Sequence, residues 1–441
     1  MAETNKYAEE IFLTTSVEQS RITRWKPITV SELKIFLGLL LHIGTWKTNR
    51  INDYWRTDPL FNLKCFHDNM GRNRFLIILK VLHFVQNPAE DEVVQDRIYK
   101  IRPILNYFNN KMHSIYQPGK NLCIDETMVL WKDRLVFKQF IKNKRHKYGI
   151  KLYVLTESDG MVLNMHVYTE SHDSLGGKGH SMKVVCELMK NYFGYGHSLF
   201  VDNFYTGIEL AEALLTNSTY CTGTLNVKRR GIPEEIKSAQ LQPGETIGKY
   251  QKGILVGKWR DKRPILYLST EFENTMTEFE NRRGKKLTKP LPILEYNKYM
   301  GGVDHKDQML SYYSCERKNV RWYKKLFLHI FQVMFYNAYY LFVKFSGETM
   351  PFYDFRLQII TQFLNKTAVP TVTVGSCKHI PTKIPLKNAK GETKTRRCKV
   401  CATKNIRRDT VYKCTKCVDR PGLCIGECFA LYHYFFFNNS Q

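Results

Sequence analysis

Apolar residues in the first quarter of the chain recur at helical spacing. Leu33, Phe36, Leu37 and Leu40 share one face of a 3.6-residue period, and Thr29 and Ser31 ahead of them are candidate N-caps. The pattern predicts a helical region over 1–119, made basic by Arg72, Arg74, Lys80, Lys100, Arg102 and Lys111. From Asn121 the pattern is that of strands. Leu122-Cys123-Ile124 is a short apolar run ending at Asp125, 136–141 is a second and 150–156 a third. Ser158-Asp159-Gly160 is a turn signal before another strand over 162–168, so these strands read as antiparallel neighbours joined by a hairpin. A helix over 181–192, a strand over 198–201 ending at Asp202, a helix capped by Thr206 and running to 215, and a strand over 220–227 follow. Three antiparallel strands, then helix, strand, helix, strand, is the order of a multidomain protein's RNase H-like α/β core, placed here at 120–228.

Between 229 and 290 the chain is polar and punctuated by Gly and Pro, with Tyr267-Leu268-Ser269 among few strand candidates, and is expected to be an insertion. Helical patterning returns over 296–343, a Thr/Val/Pro stretch over 367–375 reads as a linker, and a Cys-rich tail occupies 376–441. Two apolar runs resemble membrane spans. The run 35–46 is too short, and 326–343 contains His329, Gln332 and Asn337, whereas a span needs about 20 predominantly apolar residues. The longer run is therefore expected to be a buried helix, and no membrane partner is expected. The N-terminal MAETNKYAEE shows no basic-then-apolar signal pattern.

A hydrophobic content of 43% and an aromatic content of 13% exclude wholesale disorder, and 441 residues predict two to four domains. Charge narrows the function. Lys and Arg number 67 against 41 Asp and Glu, a net +26 that attracts polyanions, of which nucleic acid is the commonest.

The twelve cysteines are unevenly placed. Cys65, Cys123, Cys186, Cys221 and Cys315 are scattered singly, as core thiols of a reducing compartment are. Cys398-x-x-Cys401, Cys414-x-x-Cys417 and Cys424-x-x-x-Cys428, then His433, have the spacing by which close pairs grip tetrahedral Zn²⁺. With His379, or Cys377 in its place, these make ligands for two zincs per chain. Spacing does not say which pairs share a metal; an interleaved cross-brace is expected. Metal must supply most of the folding energy of so small a module. Lys394, Arg396, Arg397, Lys399, Lys404, Arg407 and Arg408 suit phosphate contact or simply form a solvated face.

Asp125 and Asp202 each close an apolar strand run, where side chains project into a cleft. Asp304 and Asp307 lie three apart on one face of a predicted helix that opens at Gly301-Gly302-Val303. Paired Mg²⁺ or Mn²⁺ ions need hard oxygen ligands from separate elements, and such a pair serves phosphoryl transfer. Any one strand-end Asp is more often a cap or turn residue than a ligand; the set in this order is far more specific.

The chain resembles the piggyBac-family transposases. The segments that carry the resemblance are Asp125-Glu126-Thr127-Met128 with Lys132 and Arg134, Phe137-Lys138-Gln139, Tyr148-Gly149-Ile150-Lys151, Val201-Asp202-Asn203-Phe204-Tyr205-Thr206, Met300-Gly301-Gly302-Val303-Asp304 and Asp307-Gln308-Met309. Arg317, Arg321-Trp322 and the Cys/His tail complete it. It implies Asp125, Asp202 and Asp304 as catalytic metal ligands with Asp307 in support, hairpin intermediates at DNA ends, and insertion at TTAA. It also implies a helical dimerisation and DNA-binding domain in two parts, 1–119 and 314–366, around a core resumed at 291–313. His379 is the upstream zinc ligand the resemblance favours. Lys132, Arg134, Lys138, Lys151, Arg317, Arg321 and Trp322 are the implied DNA contacts. Trp322 in its basic run suits stacking on an unpaired base, or else a place in the core. The expected partners are double-stranded DNA and a second copy of the chain, with chromatin contact through the tail, and the expected location is the nucleus. Trp131-Lys132-Asp133-Arg134 and Lys144-Arg145 depart from the family's aromatic-Lys-Gly-Arg and Lys-Pro. A domesticated DNA- or chromatin-binding protein without transposition is the alternative.

Overall fold

A computed structural model describes residues 1–14, 20–89, 91–142, 144, 146–281, 283–318, 321–364, 381–384, 394–415, 417 and 419–433. They fall into two compact units, 1–366 and 367–441. The 367–375 segment, Cys377 and His379 lie outside the described residues.

The first unit opens with helices α1 (Ala2–Thr14), α2 (Val30–Thr45), α3 (Lys64–Asn69), α4 (Arg72–Val81) and α5 (Arg102–Ile115). Of the two candidate caps of α2, Thr29 is the one used: its side chain accepts from Glu32 N at 3.2 Å. The apolar stripe of α2 buries Phe36, Leu39 and Leu40. Arg74 of α4 binds Glu32 through Nε and Nη2, each at 2.6 Å, so this basic residue is engaged within the domain.

Strands β1 (Asn121–Leu130), β2 (Gln139–Phe140), β3 (Tyr148–Glu157), β4 (Val162–Val167), β5 (Ser198–Val201) and β6 (Tyr220–Leu225), with α6 (His180–Met189) and α7 (Ile208–Thr216), form the RNase H-like order. β1 pairs antiparallel with β3 along its length and parallel with β5 only from Asn121 to Ile124, where Ile124 faces Val201. β5 runs parallel to β6. Three local expectations differ from what is observed. Asp125 is not at the end of β1 but inside it, because β3 carries the pairing on to Leu130; it stands instead where the shorter β5 stops. The run 136–141 yields only the two-residue β2 at an edge. Thr206 does not cap α7, whose N-cap is Gly207; its hydroxyl donates to Asp202 O at 2.7 Å and closes the turn behind Asp202.

The segment 229–290 carries more sheet than its polarity suggests. After the short α8 (Glu234–Ser238), β7 (Thr246–Gln251), β8 (Ile254–Arg260) and β9 (Pro264–Ser269) extend the main sheet, β9 pairing antiparallel with β6. Its order is β2-β3-β1-β5-β6-β9-β8-β7, with β4 also on β3. Only β10 (Met276–Glu280) and β11 (Lys286–Pro290) form a separate hairpin. β7 is half exposed and polar, which is why its residues do not read as a buried strand.

Helices α9 (Leu291–Tyr299), α10 (Gly302–Tyr312), α11 (Trp322–Ser346) and α12 (Phe352–Leu364) complete the unit. A Cβ at Gly302 would lie 2.2 Å from Glu157 O and 2.8 Å from Cys123 Sγ, so glycine is what lets the start of α10 press against β1 and β3. The 25-residue α11 is long and apolar enough to cross a membrane by composition alone. It packs instead on α5 and α10, with Leu326, Ile330 and Val333 fully buried. Its interior amides have protein partners: Asn337 donates to Val162 O at 2.7 Å and accepts from Val162 N at 3.1 Å, and Gln332 Oε1 accepts from Cys315 N at 2.9 Å. The run 326–343 is largely buried, as expected, only as far as Asn337; Ala338 is exposed and 339–343 are partly buried. α12 packs on α2, where the buried Arg356 donates to Thr45 Oγ1 at 2.8 Å and to Leu41 O.

In the second unit, β12 (Pro381–Lys383) pairs with β15 (Tyr412–Cys414), and β13 (Arg396–Arg397) with β14 (Asp409–Thr410). Helices α13 (Lys399–Thr403) and α14 (Glu427–Leu431) flank them. Apart from cysteines, its buried apolar cluster holds, among the described residues, Val400, Leu423 and Tyr432.

Candidate active site and zinc module

The parallel register of β1 and β5 brings Asp125 and Asp202 off neighbouring strands together. Carboxylate oxygens of Asp125, Glu126 and Asp202 lie within 4.8 Å of one another. Glu126 was not singled out by sequence reasoning: adjacent residues on a strand normally face opposite ways. Its presence in the same Asp-Glu-Thr segment was the available signal. Asp304, exposed on the first turn of α10, is outside that cluster but borders a cavity of about 450 Å³ together with Thr127, Lys144 and Asp307. Asp307 accepts from Thr127 Oγ1 at 2.6 Å and pairs with Lys306, which ties α10 to β1.

Electrostatics mark the cluster as strained by its own charge. Burial, and then the hydrogen bond to Glu126, push Asp125 up to about 7 against the opposing field of Lys144. Burial would raise Glu126 too, but the Asp125 hydrogen bond and Lys151 hold it below the ordinary range. Asp202 is raised by burial and by the charge of Glu126. Lys144 Nζ stands 3.4 Å from Asp125 Oδ2 and donates to Glu126 O at 2.8 Å. Lys151 Nζ lies 3.1 Å from Glu126 Oε1. Hard oxygens packed this closely, with lysines as their only counter-charges among the described residues, fit a divalent cation.

The implied DNA contacts divide. Lys132, Arg134 and Arg321 are exposed. Arg134, Arg321 and the half-buried Trp322 line a second cavity, of about 580 Å³, with Arg97 and Lys100. The Trp322 ring meets Phe137 edge-on at 5.3 Å and Tyr323 edge-on at 5.9 Å. Lys138 donates to Lys132 O at 3.3 Å. Lys151 and Arg317 have intramolecular partners: Lys151 is held by Glu126, and Arg317 donates to Thr48 O at 2.7 Å and Tyr54 Oη at 3.0 Å.

In the tail, the Sγ atoms of Cys398, Cys401, Cys424 and Cys428 form one group and Cys414, Cys417 and His433 Nε2 another. Cys401 Sγ is 4.0 Å from Cys424 Sγ and 3.6 Å from Cys428 Sγ. A tetrahedron with metal–sulfur bonds of about 2.3 Å has edges of about 3.8 Å, so the first group has the dimensions of a zinc site. In the second, Cys417 Sγ is 3.3 Å from His433 Nε2, and His433 Nδ1 donates to Phe429 O at 2.7 Å, which turns the Nε2 lone pair toward the cysteines. The pairs alternate along the chain between the two groups, which is the interleaved arrangement.

Carboxylates at a strand junction, a divalent-cation donor set and a cationic flank place the first unit among nucleic-acid-processing folds with an RNase H-like sheet. The family described as transposase IS4 matches residues 1–339, and the chain belongs to it. A second family, described as a DDE_Tnp_1-like zinc finger, matches residues 376–434. The human PiggyBac transposable element-derived protein 3 is 24% identical over 359 residues, 78% of this chain and 60% of that protein. The human PiggyBac transposable element-derived protein 2 is 24% identical over 331 residues, 71% of this chain and 55% of that protein. The chain thus spans 60% or less of the length of these relatives. A cryo-EM structure of the piggyBac transposase synaptic complex with hairpin DNA shares the fold, with a TM-score of 0.72 at 24% identity, over 96% of this chain and 92% of that one.

Proposed function

We propose that this chain is a DNA transposase of the piggyBac type, which cuts transposon ends through hairpin intermediates and inserts at TTAA. The observation that carries the reading is the meeting of Asp125, Asp202 and Glu126 where β5 ends, with Lys144, 3.4 Å from Asp125, on the cavity that Asp304 also borders. Asp125, Asp202 and Asp304 would hold Mg²⁺ or Mn²⁺, which when bound supplies Lewis-acid stabilisation of the charge that develops on a phosphate under attack. The chain's own groups do the rest. Lys144 and Lys151 balance the carboxylates, Thr127 with Asp307 fixes α10, and Arg134 and Arg321 hold DNA phosphates. Trp322 offers a ring beside those cations for a base displaced from the helix. The zinc tail, with two Zn²⁺ per chain and His379 as a ligand, discriminates DNA ends or contacts chromatin. A homodimer in the nucleus is the working assembly, because two ends must be joined.

The test is cleavage of an end-labelled DNA duplex in Mg²⁺ and in Mn²⁺. Wild-type protein cuts, while Asp125→Asn, Asp202→Asn and Asp304→Asn bind DNA and do not. Normal cutting by Asp202→Asn would overturn the assignment. Binding without cleavage by the wild type in either metal would favour the domesticated reading.

A further inference from the structure

Lys325 and His329 sit one turn apart on α11, and both border the 450 Å³ cavity that Asp304 and Asp307 also border. Neither side chain is used by the carboxylate cluster. His329 is only 6% exposed, and its Nδ1 donates to Glu316 Oε1 at 2.9 Å. Its Nε2 has no hydrogen-bond partner. A buried ring nitrogen left in that state is uncommon, because losing water without gaining a partner is costly. Lys325 is 7% exposed, and Glu316 is the opposite charge acting on it. Lys47 and Lys144 border the same space.

The cavity is within the ordinary size of a ligand site, about 300–1,000 Å³. An unmet buried ring nitrogen and a buried ammonium call for an anionic oxygen acceptor, and Asp304, Asp307 and Lys144 on the same cavity place that acceptor near the metal-binding cluster. A chain phosphate neighbouring the reacting one has that charge and that position. We propose that this cavity is a backbone-phosphate subsite for the DNA strand being processed, with His329 Nε2 and Lys325 Nζ as its ligands. Glu316 is a positioning residue: by accepting from Nδ1 it fixes the imidazole ring. The inference rests on the transposase reading for the identity of the strand.

The experiment is a neutral-phosphate scan on the full chain. A hairpin-ended duplex bearing TTAA is made with single methylphosphonates at successive positions near the hairpin, and binding is measured without Mg²⁺ or Mn²⁺. In the wild type, one position is expected to cost about tenfold in affinity, the scale of one charged hydrogen bond. His329→Gln and Lys325→Met should each lose a comparable factor on unmodified DNA and become indifferent to the methylphosphonate at that same position. Lys325→Met should also lower the salt slope by about 1. Melting curves report folding, and Lys325→Met carries the test if His329→Gln does not fold. Variants that stay as sensitive as the wild type at every position overturn the subsite. So does a scan with no sensitive position in which millimolar inorganic phosphate still shifts the His329 imidazole resonances, since the ligand is then a free anion. A wild type that cuts no DNA but keeps the position-specific pattern would sink the transposase reading and leave the subsite standing.

Discussion

Lys151 Nζ lies 3.1 Å from Glu126 Oε1, and each side chain is only 11% exposed. The same ammonium lies 4.4 Å from the Tyr153 ring centre and 4.8 Å from that of Phe204. A lysine in this position is a counter-charge to the acidic cluster. Removing one partner of such a pair strands the other charge, whereas removing both is far less costly. Glu126→Gln should therefore lose about 3 kcal/mol of stability in a denaturant titration. Glu126→Gln with Lys151→Met should recover most of that loss. Simple addition of the two single effects would show that the pair is not coupled.

Asp304 and Asp307 should separate in their effects, although they sit three apart on α10. Asp304 is exposed beside the cavity, so Asp304→Asn is expected to abolish cleavage with little change in melting temperature. Asp307 accepts from Thr127 and pairs with the buried Lys306, so Asp307→Asn should destabilise the fold by about 1–3 kcal/mol and slow cleavage only partly. Thermal melts with single-turnover cleavage distinguish the two.

The tail should bind about two zinc ions per chain, as its two ligand groups imply. Its apolar core is small, so chelation or Cys414→Ser should unfold residues 381–433 while the larger melting transition remains. Metal analysis after purification checks the stoichiometry. One zinc per chain, with Cys398, Cys401, Cys424 and Cys428 intact, would remove His433 and His379 from the ligand set.

His83 predicts a pH dependence. It stacks on Tyr7 at 4.1 Å, and its Nδ1 lies 3.1 Å from Tyr323 Oη, joining α1 to α11. Burial first, then the charge of Lys100, lowers it to about 4. An unfolded histidine titrates at about 6.5, so between these values the unfolded chain binds the extra proton. The stability contributed by neutral His83 is complete above about pH 6.5 and is lost as pH falls toward about 4, on the order of 2 kcal/mol. His83→Gln should flatten the stability profile in that window; an unchanged slope would refute it.

Much of the architecture follows from local order along the chain. The stripe on α2, the hairpin at Ser158-Asp159-Gly160 and the strand-helix alternation through 225 are legible because side-chain period reports which face is buried. The Cys spacings are legible as zinc chemistry because each close pair spans a single turn. Other features depend on pairings between distant segments. Asp125 and Asp202 meet because Ile124 pairs with Val201, and Glu126 joins them there. The polar strand β7 belongs to the main sheet because β8 recruits it, and β9 because β6 does. Lys151 and Arg317 stand as implied DNA contacts until the fold supplies Glu126 and Tyr54 as their partners. The division of Cys and His between two groups, and the unmet Nε2 of His329, were likewise settled in three dimensions. Period and spacing record how one segment meets solvent, whereas a side chain's partner is fixed by sheet register and helix packing, which leave no local trace.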